Sequence, residues 1–239
     1  MPQIYISSMW ETYLLALVKQ MAMTLGIILG VGILLHLSSM FLQRKLTVML
    51  GSRMAILLTA PGTVVHELGH ALFCPIFAHR IQQVRFFQMG SDGVLGFVKH
   101  VYNPRNPWAI LGNFWISTGP LWLGGTLLLV ILSVLGVEDV RQIQWTEPAN
   151  WLLVYLFLAI GSQMGLSMED LRASWGSLLL FLILWMGLGL AMMWFGYDLV
   201  QFLYPLEDYS MLIAWILIPV AFLNGLFGIV LMVLSRVLK

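Results

Sequence analysis

Residues 54–78 read MAILLTAPGTVVHELGHALFCPIFA. The stretch exceeds the ~20 residues that carry a helix across the hydrocarbon of a bilayer, yet its middle holds His66, Glu67 and His70. Ionisable groups placed in hydrocarbon are costly unless they are paired or metal-bound, so a functional reading takes precedence. Four-residue spacing puts both imidazoles on one helix face, about 6 Å apart along the axis, where they converge on one ion. Glu67 adjoins the first of them, rotated off the ligand axis, where it can take a proton from a water activated by the metal. His66 and His70 are therefore expected metal ligands, with zinc as the metal and Glu67 as general base.

The rest of the chain supports a membrane setting. Hydrophobic residues make up 60% of the 239 positions and charged ones 10%, against roughly a quarter charged in a soluble domain. Such a chain cannot cover itself with polar surface. Apolar runs predict six spans, at about 13–41, 54–78, 107–136, 151–168, 174–197 and 210–235. The fold class is thus an all-α polytopic membrane protein, with residues 1–239 as a single domain. Between the second and third spans, 84–89 (VRFFQM) and 94–102 (VLGFVKHVY) flank Gly90-Ser91-Asp92-Gly93, which predicts a β-hairpin.

Lys and Arg set the orientation. Arg236 and Lys239 at the carboxyl end, and Arg80, Arg85, Lys99 and Arg105 in 79–106, contrast with 198–209, which has none. Both termini are expected on the cytoplasmic side of a plasma or inner membrane, although Arg44, Lys45 and Arg53 oppose this. The amino-terminal stretch lacks the marks of a cleaved signal peptide, so the first helix is expected to stay. A formal charge of +1 gives no reason to expect a nucleic-acid partner.

Two histidines do not complete a catalytic zinc site, which takes three protein ligands and leaves a position open. Cys74 shares their face but lies too far along the axis, so it reads as packing. Asp170, in IGSQMGLSMEDLRASWG, is the preferred third ligand. It is placed near the carboxyl end of the fourth span, which alternate crossings put on the same side as the end of the second span carrying His70. Its other reading is the first turn of the next helix, capped with Ser167; Glu169 is the competing ligand. His79, His100 and Asp92 read as interfacial or turn residues of the hairpin region.

The order HELGHAL, hairpin, TGPL (Thr118 to Leu121), then an aspartate resembles the site-2 protease family of intramembrane zinc metalloproteases. The resemblance implies a zinc held by His66, His70 and Asp170, Glu67 as general base, and cleavage in or near the transmembrane segment of a membrane-protein substrate. The family's aspartate stands in an NxxPxxxLDG-like sequence. Here the stretch is SQMGLSMEDL, with Ser162 in place of Asn, no Pro and no Gly after Asp170. Ser162, Gln163 and Ser167 are the candidate partners for the reaction's oxyanion. Trp122 and Gly124 follow GPL where the family carries Asn. These departures keep open a second expectation, a protease-like, metal-binding subunit or partner of a membrane complex, with or without activity of its own.

Overall fold

The computed structural model describes residues 2–89, 95–136 and 143–237. Among these residues seven α-helices and one two-stranded sheet follow one another: α1 (Pro2–Met21), α2 (Ile27–Leu50), α3 (Ser52–Ile76), β1 (Arg80–Arg85), β2 (Phe97–Val101), α4 (Pro107–Leu135), α5 (Pro148–Gly161), α6 (Met168–Trp194) and α7 (Leu199–Val237). A π-helical turn, Ala22–Gly26, joins α1 to α2 without a break. Gly51, at φ +81°, makes the turn into α3, a conformation glycine reaches without a Cβ penalty.

Four helical stretches are long and apolar enough to cross a membrane: Trp10–Leu50, Pro107–Leu135, Met168–Trp194 and Leu199–Val237. Their outer faces are apolar, with Leu179, Ile183, Trp215 and Phe222 all more than half exposed. Water tolerates contiguous surfaces of this kind poorly, and lipid suits them. The α3 helix, which carries HELGH, falls outside that group, and α5 is a shorter apolar helix.

Several boundaries differ from the sequence expectation. The fourth predicted span corresponds to α5, which ends at Gly161 and not near 168, and the expected loop 198–209 falls almost wholly within the first third of α7, with Pro205 inside it. Arg44 and Lys45 lie within α2. The first strand begins at Arg80 and pairs antiparallel with β2, Arg80 opposite Val101 and Arg85 opposite Phe97, with an irregularity between Ile81 and Gln83. The pairing extends past the strands, where the Gln88 N–H donates to the Leu95 carbonyl at 2.7 Å. The expected turn Gly90 to Gly93, Asp92 included, and Lys239 lie outside the described residues.

Packing follows small residues. Helix α2 runs along α7, α3 along α4, and α4 along α6, while α5 lies on α3 and α4. Leu35, Leu121, Leu128, Met164, Ile213 and Leu217 form the shared core. On α3 the glycines at 62 and 69 share one face. A Cβ at Gly69 would stand 2.6 Å from the Pro120 backbone, and one at Gly62 would meet the Ala159 carbonyl and Gln163 Cγ. Helices without bulk at a crossing approach to backbone contact, the usual device inside a membrane. The TGPL segment thus serves close helix packing.

Candidate metal centre

The glycine face of α3 is also the histidine face. Because Gly62 and Gly69 let neighbouring backbones come close, the imidazoles between and beside them reach main-chain carbonyls. His66 Nδ1 donates to the Gln163 oxygen at 2.8 Å, and His70 Nδ1 donates to the Ile116 oxygen at 2.7 Å. Both acceptors are carbonyls that a helix has given up. Pro120, four residues beyond Ile116, has no N–H to offer it. Gln163 lies just past the end of α5.

With both Nδ1 atoms donating, each neutral ring presents a bare Nε2. Those two nitrogens are 3.2 Å apart, lone pair toward lone pair, an arrangement that calls for a cation between them. Asp170 closes the group: Oδ1 is 3.4 Å from His70 Nε2, and Oδ2 is 3.8 Å from His66 Nε2. The edges of a tetrahedron with bonds of about 2.0 Å measure roughly 3.3 Å, so the donor separations suit one ion. His66, His70 and Asp170 are the one group of this kind among the described residues. They could hold a metal ion, with their outer nitrogens already oriented by carbonyls, as metal-ligating histidines usually are.

Asp170 reaches the histidines from the first turn of α6 and not from the end of the preceding helix. Ser167 and Asp170 form a reciprocal capping box: the Asp170 N–H donates to Ser167 Oγ at 3.0 Å, and Oδ2 accepts from the Ser167 N–H at 3.0 Å. The Ser167 hydroxyl adds a 2.6 Å bond to Oδ2. The capping reading of this aspartate is observed, and the capped carboxylate also stands where it could serve as a ligand. The cap fixes the carboxylate, and the fixed carboxylate faces the histidines. Glu169 lines the same cavity but is exposed and outside the donor group.

The break between α5 and α6 is held by α2. The Leu166 N–H donates to the Gly32 carbonyl at 3.3 Å, and a Cβ at Gly165 would stand 2.5 Å from His36 Cα. Of the three oxyanion candidates, Ser162 spends its hydroxyl on the Ala159 carbonyl at 2.8 Å. Ser167 is committed to the cap, and the Gln163 side chain lines a cavity with His66 and Glu67. Cys74 is fully buried and outside the donor group.

Glu67 opens onto two cavities, one toward α2 and one toward the hairpin. The second, of about 320 Å³, is lined by His66, His70 and Asp170, by Asn113 and Ser117 of α4, and by β2. The hairpin lies directly over the glutamate, since a Cβ at Gly96 would stand 2.6 Å from Glu67 Cγ. Sequence reasoning did not single out Asn113 or Ser117. Ser117 immediately precedes TGPL and Asn113 lies five residues before it, and only the α3–α4 crossing brings them to the site. His79 and His100, read as interfacial or turn residues, face each other beside the cavity: His79 is 4% exposed and its Nδ1 lies 2.8 Å from that of His100.

Comparison with protein-family models, curated proteins and solved structures finds no match to this chain. The functional reading therefore rests on the geometry.

Proposed function

We propose that the chain is an intramembrane zinc metalloendopeptidase of the site-2 protease kind, hydrolysing a peptide bond in or near a transmembrane segment of a membrane-protein substrate. The observation that carries the reading is the convergence of His66 Nε2, His70 Nε2 and the Asp170 carboxylate beside Glu67, a glutamate left outside the donor group and open to the cavity. Two imidazoles and a carboxylate suit zinc and leave a coordination position free. A zinc ion there supplies Lewis acidity, which makes water a nucleophile at neutral pH and polarises a carbonyl.

The protein's own groups supply the remainder. Glu67 takes the proton of the attacking water and returns it to the departing amide nitrogen as the C–N bond breaks. A helical amide is shielded, so the substrate has to be extended at the cleaved bond. Among the described residues β2 is bonded to β1 along one edge only, and its residues line the cavity. Its other edge can pair with an unwound segment and lay it beside Glu67, the strand-addition mode of peptide binding.

In this reading the six helical rods, with α1 and α2 counted as one, are six crossings of a plasma or inner membrane, both termini cytoplasmic. Lipid is then the solvent for the exposed leucines and tryptophans.

The test is metal analysis of the purified full chain together with cleavage of single-span substrates by wild type and Glu67→Gln. Stoichiometric zinc in both, with cleavage lost only in the variant, is the expected result. Zinc without cleavage of any substrate overturns the peptidase reading and favours a metal-binding subunit of a membrane complex.

A further inference from the structure

The hairpin carries a second pair of histidines with a different logic. His79 Nε2 lies 2.8 Å from the Ala109 carbonyl oxygen, and its Nδ1 lies 2.8 Å from Nδ1 of His100. The Tyr102 ring stacks on the His79 ring, centroids 4.6 Å apart. A carbonyl only accepts, so His79 carries its proton on Nε2. The ion pairs among the described residues all belong to Asp170, and a buried imidazolium with no anion against it is costly. A neutral His79 has a bare Nδ1, which accepts. His100 must then donate from its own Nδ1.

That relay leaves His100 one free nitrogen, Nε2, without a proton. The ring lines the cavity that also holds His66, Glu67, His70 and Asp170. Burial first, then the neighbouring His79 and His70 rings, hold His100 below the ordinary imidazole range, which keeps the free nitrogen an acceptor. An extended peptide brings the complement, a row of backbone N–H groups with no helical partner.

We propose that His100 is a substrate-contacting residue: its Nε2, kept bare by the Ala109–His79 relay, accepts a hydrogen bond from one backbone N–H of the peptide beside Glu67. His79 is the positioning residue. The inference rests on the peptidase reading and adds a selectivity to it. At one position near the cleaved bond, proline and N-methylated residues are rejected.

The test uses the full metal-loaded chain and a cleaved single-span peptide resynthesised with one backbone amide N-methylated at a time. His100→Ala is expected to keep its zinc and to lose about tenfold in kcat/KM, the scale of one hydrogen bond. One N-methyl position should cost wild type about tenfold and cost His100→Ala nothing further, the coupling expected of a direct contact. His100→Gln, which keeps an acceptor, should recover part of the rate. Nitrogen-15 spectra should place the His100 proton on Nδ1 in wild type and release that preference in His79→Phe, which keeps an aromatic ring and removes the acceptor.

An unchanged rate and unchanged N-methyl profile in His100→Ala, or a His100 proton found on Nε2, overturns the inference while the peptidase reading stands. A wild-type chain that cleaves no peptide removes both.

Discussion

Gly69→Ala tests whether the helix crossing, and not the ligands alone, builds the metal site. The added Cβ would lie 2.6 Å from both Cα and N of Pro120, where ordinary contact begins at 3.4 Å. The obstructing atoms are backbone, so no rotamer relieves the overlap. Helix α4 must retreat from α3 by about 0.8 Å. Overpacking of this size costs about 1–3 kcal/mol, against which alanine returns up to ~1 kcal/mol of helix propensity. The larger consequence falls on His70. Its 2.7 Å bond to the Ile116 carbonyl stretches toward about 3.5 Å, beyond hydrogen-bond range. Loss of an orienting partner typically lowers metal affinity 10–100-fold, here with no ligand touched. Zinc affinity would be measured by chelator competition on the purified chain, with circular dichroism to confirm retained helix. Gly225→Ala, where a Cβ meets nothing within 4 Å, is the neutral control. Wild-type affinity in Gly69→Ala, to within a factor of two, would refute the argument.

Further outcomes can be read in the same assays. Pro120→Ala restores an N–H that competes for the Ile116 carbonyl, so α4 should gain up to ~3 kcal/mol. Zinc affinity should fall about tenfold, and a change of both quantities in the same direction would contradict the freed-carbonyl explanation. Asp170→Asn should abolish tight zinc binding while keeping an acceptor for the α6 cap. Ser167→Ala should cost about 1 kcal/mol of stability with zinc retained, and equal zinc loss in the two would assign the aspartate to capping alone. Gly96→Ala drives a Cβ against Glu67 Cγ and the Arg85 and Phe86 carbonyls. It should lower kcat with zinc content unchanged; a normal kcat would place the hairpin away from the reaction.

The donors were legible because their spacing is local. His66 and His70 obey helical periodicity, and a carboxylate following Ser167 is visible as a capping pattern. Where α6 begins was not legible, because the 162–167 break depends on contacts with α2, at Gly32 and His36, over a hundred positions away in the chain. Strand β1 was only partly seen, since Arg80, Gln82 and Gln83 are polar, the whole stretch is exposed, and it is strand only through pairing with β2. The inward turn of His79 has no local signal either. It depends on Ala109, whose carbonyl becomes a partner only when α4 packs beside the hairpin. Asn113 and Ser117 were passed over for the same reason.

One consequence of the donor set concerns how the chain is held together. His70 and Asp170 are a hundred positions apart in the chain, and the turns bearing them belong to separate helices joined through α4 and α5. An ion shared between them acts as a removable cross-link. In a freely coiled chain, tying a loop of about 100 residues is worth on the order of 4–5 kcal/mol, and less in a bilayer, where each helix persists when its neighbours part. Chelation would then do more than silence chemistry. It would remove one tie between the early helices and the late ones at the α5–α6 joint, so metal supply would bear on the lifetime of the protein as well as on its activity.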